Sequence, residues 1–264
     1  MSGFEDTANF HKDNSISLSF LKLMYKSSFL KLCIFPQDAF SGKYETLPGL
    51  KLEQQINKIQ HQNDTIELER KLHQSCHKLC LMWRAGINAI EAEADFYSRT
   101  TKDAPALFGE DAININYHLE GLVLFARSAL DVASSIFGCL LPDPFTKKRY
   151  DSFNKLVKEI INNSGELEFC TKFENWRNDE LSWLSIISNT HKGRSLRDKI
   201  THQMDFPIDY IELHPPSEKE TAIVWVTNCK YLPLDEFIQT LSHGVIDCFL
   251  MLEAICINEI NKNA

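Results

Sequence analysis

The densest run of chemically capable side chains in this chain is His191-Lys192-Gly193-Arg194-Ser195-Leu196-Arg197-Asp198-Lys199-Ile200-Thr201-His202. Four basic residues and one acid give it +3 in a protein whose formal charge is −8. A guanidinium can grip a phosphate through parallel N–H donors. An imidazole, with an unperturbed pKa near 6.5, can take up and return a proton at neutral pH. Together they are what phosphodiester chemistry needs. The competing reading of Arg197, Asp198 and His202 is a solvated helix start with a local ion pair.

Other groupings are weaker. Arg127 and Asp131, four apart in an apolar stretch, can pair on one helix face. They either border the His202 site or form an internal bridge. Lys147-Lys148-Arg149 with Lys155 and Lys158 could track a phosphate backbone, although such runs are usually a solvated face. His73, Cys76, His77 and Cys80 are all zinc-ligand types. Along one helix, however, their Cα atoms span about 10 Å, too far for four ligands to reach one ion, and no second pair elsewhere closes the shell. No metal or other cofactor is expected. Gly-rich phosphate loops, G-x-S-x-G elbows and H-E-x-x-H are all missing from the sequence, which removes the commonest nucleotide-binding, α/β-hydrolase and zinc-protease signatures.

The elements that must position these residues read as helices. With 10 Gly and 9 Pro in 264 residues there are few obligatory turns, and 44% hydrophobic with 24% charged residues is an ordinary globular composition. The eight cysteines are too few for a disulfide scaffold and several lie in apolar stretches, so reduced thiols in a cytoplasmic protein are expected. Acids at Glu5 and Asp6 argue against a signal peptide. Leu122 to Leu141 has membrane-span length but carries Arg127 and Asp131, each costing about 2.5 to 3.5 kcal/mol at a bilayer centre, so a buried helix and no membrane partner are expected.

Residues 1 to 48 form an N-terminal arm of uncertain structure, in which Ser19-Phe20-Leu21-Lys22-Leu23 recurs as Ser28-Phe29-Leu30-Lys31-Leu32. Residues 49 to 104 read as a long amphipathic helical region. Asp64 and Glu67 are spaced as a capping box, and Leu72, Cys76, Leu79, Trp83, Ile87, Ile90, Ala94 and Tyr97 form the apolar stripe, with Glu91, Glu93 and Asp95 on a solvated face. Residues 105 to 264 read as a helical core. Its central helix, from Asn114 to Leu141, is ended by Gly138 and Pro142. Amphipathic helices follow over Ser152 to Asn162, Leu167 to Trp176 and Asp179 to Asn189, then a short helix capped by Ser195. A β-hairpin at about 207 to 228 turns at Pro215 to Lys219, and a final helix opens at Pro233 with Phe237, Leu241, Val245, Phe249, Leu252 and Cys256 facing inward. The fold class is therefore mostly α, with one inserted hairpin.

In that setting Arg197-Asp198-Lys199-Ile200-Thr201-His202 resembles the R-x(4–6)-H motif of HEPN domains, the higher-eukaryote and prokaryote nucleotide-binding superfamily of α-helical proteins, many of them ribonucleases. Arg70 with His77 fits the loose form too. The narrower form, with Asn, Asp or His directly after the Arg, is expected by chance about 0.04 times in a chain of this composition, and only Arg197-Asp198 to His202 meets it. The resemblance covers roughly residues 112 to 262. It implies a metal-independent endoribonuclease, possibly a toxin or phage-defence effector with a cognate antitoxin or protein partner. Such an enzyme cleaves RNA to a 2′,3′-cyclic phosphate at a site shared by two copies. His202 would move protons at the ribose 2′-oxygen or the leaving oxygen, and Arg197 would stabilise charge on the phosphoryl oxygens. Asp198 would orient either, and Lys192, Arg194 and Lys199 are the candidate RNA-binding residues. Two residues past His202, where some HEPN toxins carry a modifiable Tyr, stands Met204, so that form of control is not implied. The alternative reading is a non-catalytic helical module for dimerisation or protein interaction.

Overall fold

A computed structural model describes residues 48–56, 62–99, 110–145, 150–163, 167–188, 194–202, 206–209 and 222–263. The expected arm up to residue 47, Lys147-Lys148-Arg149 and the Pro215 to Lys219 turn lie outside them. The chain clusters as two units, Met1–Leu47 and Pro48–Ala264, and the described residues belong to the second. They are mostly α. In order they form α1 (Leu50–Ile56), α2 (Gln62–Arg99), α3 (Glu110–Leu140), α4 (Phe153–Asn162), α5 (Glu168–Asn178), α6 (Trp183–Ile187) and α7 (Leu196–His202). Strands β1 (Ile208–Asp209), β2 (Ile223–Trp225) and β3 (Tyr231–Pro233) come next, and α8 (Leu234–Asn263) ends the chain.

The framework is an antiparallel α2–α3 pair with α8 packed against both. Ser75 Oγ donates to the Ala129 carbonyl at 2.7 Å, Lys78 lies over the Phe125 ring, and a Cβ on Gly121 would sit 3.7 Å from that of Ala85. Residue numbers thus rise on one helix as they fall on the other. The inward face of α8 is the one its period dictates, with Phe237, Leu241, Val245, Phe249, Leu252 and Cys256 all fully buried. Two glycines let elements approach: a Cβ on Gly86 of α2 would meet Ile238 of α8 at 2.9 Å, and one on Gly244 would run into the Trp183 ring.

The stripe on α2 holds from Leu72 to Trp83 and then drifts. Ile90 and Ala94 are exposed, while Ala89, Glu93 and Phe96 are buried. Ile90 lies five full turns from Leu72 at the ideal period, but the buried positions advance by about 3.5 residues per turn, as along a packed helix pair, so small Ala89 takes the buried place. Glu93 therefore leaves the predicted solvated face. Its Oε1 accepts the Ala222 N–H at 2.7 Å, pinning the start of the strand Ile223–Trp225 to α2. Burial raises its carboxyl above the usual range, and Asp235 adds to that rise against the pull of the Ala222 bond. Glu253 of α8 is buried likewise, with Oε2 on the Gly49 N–H at 3.1 Å and Oε1 on the Leu52 N–H at 2.9 Å, so it caps α1 from across the fold. Gly49 holds φ +86, where a side chain would also strike Cys76 Sγ.

Four further boundaries differ from expectation. Asp64 sits inside α2, which begins at Gln62. Gly138 is a buried residue within α3, so the helix stop falls to Pro142. The helix expected over Asp179 to Asn189 shrinks to Trp183–Ile187 because the Ser182 hydroxyl starts it late, accepting from Ser185 N. The hairpin gains a third strand. β1 pairs with β2 (Ile208↔Val224) and β2 with β3 (Trp225↔Tyr231), all antiparallel, so Pro233 ends a strand and Leu234 starts the helix. A three-residue strand containing Pro at its edge has no readable period.

Candidate site on the short helix α7

Helix α7 begins where the sequence predicts. Ser195 Oγ accepts the Asp198 N–H at 3.2 Å, and the Lys199 N–H reaches the Ser195 carbonyl at 3.1 Å, which satisfies donors orphaned at a helix start. Leu196 is buried, and the helix packs against α6 and α3. This anchoring sets what is left outside. Arg197 and Asp198 are half-buried, Lys199 and Ile200 likewise, and Arg194, Thr201 and His202 are exposed.

The Arg197 guanidinium is partly committed. Nη1 lies 2.7 Å from Asp198 Oδ1, with the two side chains 31% and 21% exposed, an arrangement worth about 1 kcal/mol at most. Its Nε is buried with no hydrogen-bond partner among the described residues. Asp198 therefore pairs with its neighbour Arg197. Five helical steps set Arg197 and His202 about 140° apart around the axis and about 7.5 Å apart along it, and no hydrogen bond joins them among the described residues. Within one copy the two groups diverge. Lys192, with His191 and Gly193, lies outside the described residues.

Arg127 and Asp131 form a different structure. Arg127 Nε lies 2.9 and 3.0 Å from the two Asp131 oxygens, and its Nη1 donates to Asn154 Oδ1 at 2.7 Å, the Ile187 carbonyl at 3.1 Å and Ser188 Oγ at 3.0 Å. Asp131 Oδ1 also accepts the Phe153 N–H at 2.7 Å, capping α4, whose own Ser152 makes no side-chain cap. The guanidinium lies 5.9 Å from the Phe153 ring centroid, at the edge of a cluster in which Phe153, Phe173, Trp176 and Trp183 meet tilted or edge-on. These bonds reach α4 and α6, and none goes to α7. Asn154 and Ser188 carried no signal in the sequence, since their partner stands far away along the chain. Glu93 and Glu253 were equally silent, although Glu93 sits at helical spacing from Ala89 and Phe96.

The constellation from His73 to Cys80 does not converge. His73 Nε2 lies 2.9 Å from Glu53 Oε1, Cys76 Sγ donates to the Pro48 carbonyl at 3.3 Å, and Cys76 is buried. Among the described residues no group of three or more His, Cys, Asp or Glu could hold an ion. A cleft of about 320 Å³ opens elsewhere, floored by Leu167, Phe169, Met251 and Ile255 and rimmed by Lys172 and Lys262, and α7 contributes nothing to it.

No known family model, curated protein or solved structure matches this chain. The HEPN resemblance therefore rests on the α7 residues and the helical setting.

Proposed function

We propose that the chain is a HEPN-type, metal-independent endoribonuclease of the cytoplasm, acting as a homodimer in which each copy supplies Arg197 and His202 to a shared site, and serving as a toxin or defence effector. The observation that carries this reading is the state of α7. A serine-capped helix in a +3 segment presents an exposed imidazole beside a half-buried guanidinium paired with Asp198. In the reaction the ribose 2′-oxygen loses its proton to one His202 and attacks phosphorus. The P–O5′ bond breaks as the 2′-O–P bond forms, and the other copy's imidazolium protonates the leaving 5′-oxygen. Arg197 stabilises the charge on the non-bridging oxygens. The divergence of the two side chains within one copy is met by letting one come from each.

Purified protein in EDTA should cleave RNA to 2′,3′-cyclic phosphate ends, with Arg197→Ala and His202→Ala each losing about 100-fold or more while circular dichroism stays native. Equal cleavage by both variants sinks the reading.

A second reading, a helical interaction module, draws on α3. Ile113, Tyr117 and Leu124 are 67%, 71% and 40% exposed and fall within about 40° of one another around the helix. It predicts that wild-type protein leaves RNA intact and that Tyr117→Ser changes the sedimentation coefficient, whereas Arg197→Ala does not.

A further inference from the structure

Among the described residues helix α7 rests on two elements, α6 and α3, and the hydrogen-bonded link between those two is Arg127. From the middle of α3 it reaches the Ile187 carbonyl and the Ser188 hydroxyl at the end of α6, and on its way holds Asn154 of α4. The carbonyl end of a five-residue helix has few intrahelical partners of its own, so this donor fixes α6 where propensity cannot. Asp131 holds the other side of the guanidinium and at the same time caps α4. One buried cation thus sets the relation of α3, α4 and α6. Arg127 is 5% exposed, and removing one partner from such a buried network leaves the rest unsatisfied.

We infer that Arg127 is a positioning residue for the motif helix: through Ile187 and Ser188 it fixes α6 on α3, and so fixes the platform on which Arg197 and His202 are presented. The consequence for catalysis rests on the proposed function, whereas the consequence for α7 does not. Lysine cannot replace it, since a single ammonium cannot face Asp131 and the end of α6 together as the planar fork does.

The test uses the full chain with Ser188→Ala, which deletes one acceptor, and Arg127→Lys, which keeps the charge. Pulsed hydrogen exchange read by mass spectrometry should show the amides of residues 196–202 exchanging about threefold faster in Ser188→Ala and about tenfold faster in Arg127→Lys, with α8 unchanged. Unchanged exchange at 196–202 in both variants, or equal loosening of α8, overturns the inference. With RNA, Arg127→Lys should lower kcat and leave KM near the wild-type value, and a wild-type kcat in a variant whose parent cleaves RNA also overturns it. If the parent cleaves no RNA, the ribonuclease reading fails while the exchange result still decides the role of Arg127.

Discussion

At the scale of single residues, the buried carboxylates show how little a side chain's type reveals without its surroundings. Glu93 and Glu253 are both buried acceptors of backbone N–H groups with raised carboxyl pKa values, but they differ in how many oxygens they use. Among the described residues Glu93 uses Oε1 alone, so Glu93→Gln keeps the acceptor and removes the charge. Glu253 uses both oxygens, so Glu253→Gln leaves one N–H facing an amide nitrogen, at about 1–3 kcal/mol. The pH dependence has a definite sign. A carboxyl whose native pKa exceeds its unfolded value of about 4.3 contributes stability that is fully present below that pH and lost as pH rises through the native value. Urea titrations of wild type and Glu93→Gln across that range should therefore show the variant gaining relative to wild type as pH rises, and a constant difference would contradict the burial argument. The thiols of Cys248 and Cys256, pushed well up by the same burial, should resist alkylation in the native protein.

At the scale of elements, caps and close approaches decide where helices lie. Ser195→Ala removes the acceptor at the start of α7 and should cost about 1 kcal/mol, read as a lower urea midpoint. Gly244→Ala would drive a methyl into Trp183, which is packed against the Phe153 and Trp176 rings and against α8, so a loss of about 1–3 kcal/mol is expected with a change in near-ultraviolet dichroism. Gly121→Ala meets only ordinary contacts at 3.6 and 3.7 Å, and helix propensity should make it stabilising by about 0.5–1 kcal/mol. The opposite signs at two helical glycines test whether the α6–α8 contact is as tight as described. Differential scanning calorimetry would resolve both.

At the scale of the whole molecule, the net charge of −8 and the helical framework constrain any RNA partner. Phosphate contacts confined to Lys192, Arg194, Arg197 and Lys199 number four per copy at most. For single strands, the logarithm of the binding constant should then fall with the logarithm of salt concentration with a slope of about −3 per copy. A slope twice as steep in a one-copy complex would mean broad coating and contradict a focused site. Two helices, Ala112–Leu140 and Leu234–Lys262, are long and apolar enough to cross a membrane by length and composition. In the fold 61% and 50% of those windows are buried, against one another and against α2. The same apolarity that marks a span also builds the centre of a helical bundle.

The sequence by itself determined the mostly helical class, the inward face of the last helix, the amphipathic face of α4 and the cap of α7. Each of these depends on residues three or four apart, and local periodicity and capping are readable at that range. The R-x4-H spacing was legible for the same reason. Tertiary structure alone decided that Arg127 ties three helices, that Glu93 and Glu253 reach backbone groups across the fold, and that β3 completes the sheet. Those partners stand as far as 204 residues apart, and nothing local encodes a hydrogen bond that forms only when distant elements pack. Ile90 and Ala89 show the boundary between the two regimes: both are apolar and adjacent, and only the approach of a second helix chose the smaller one.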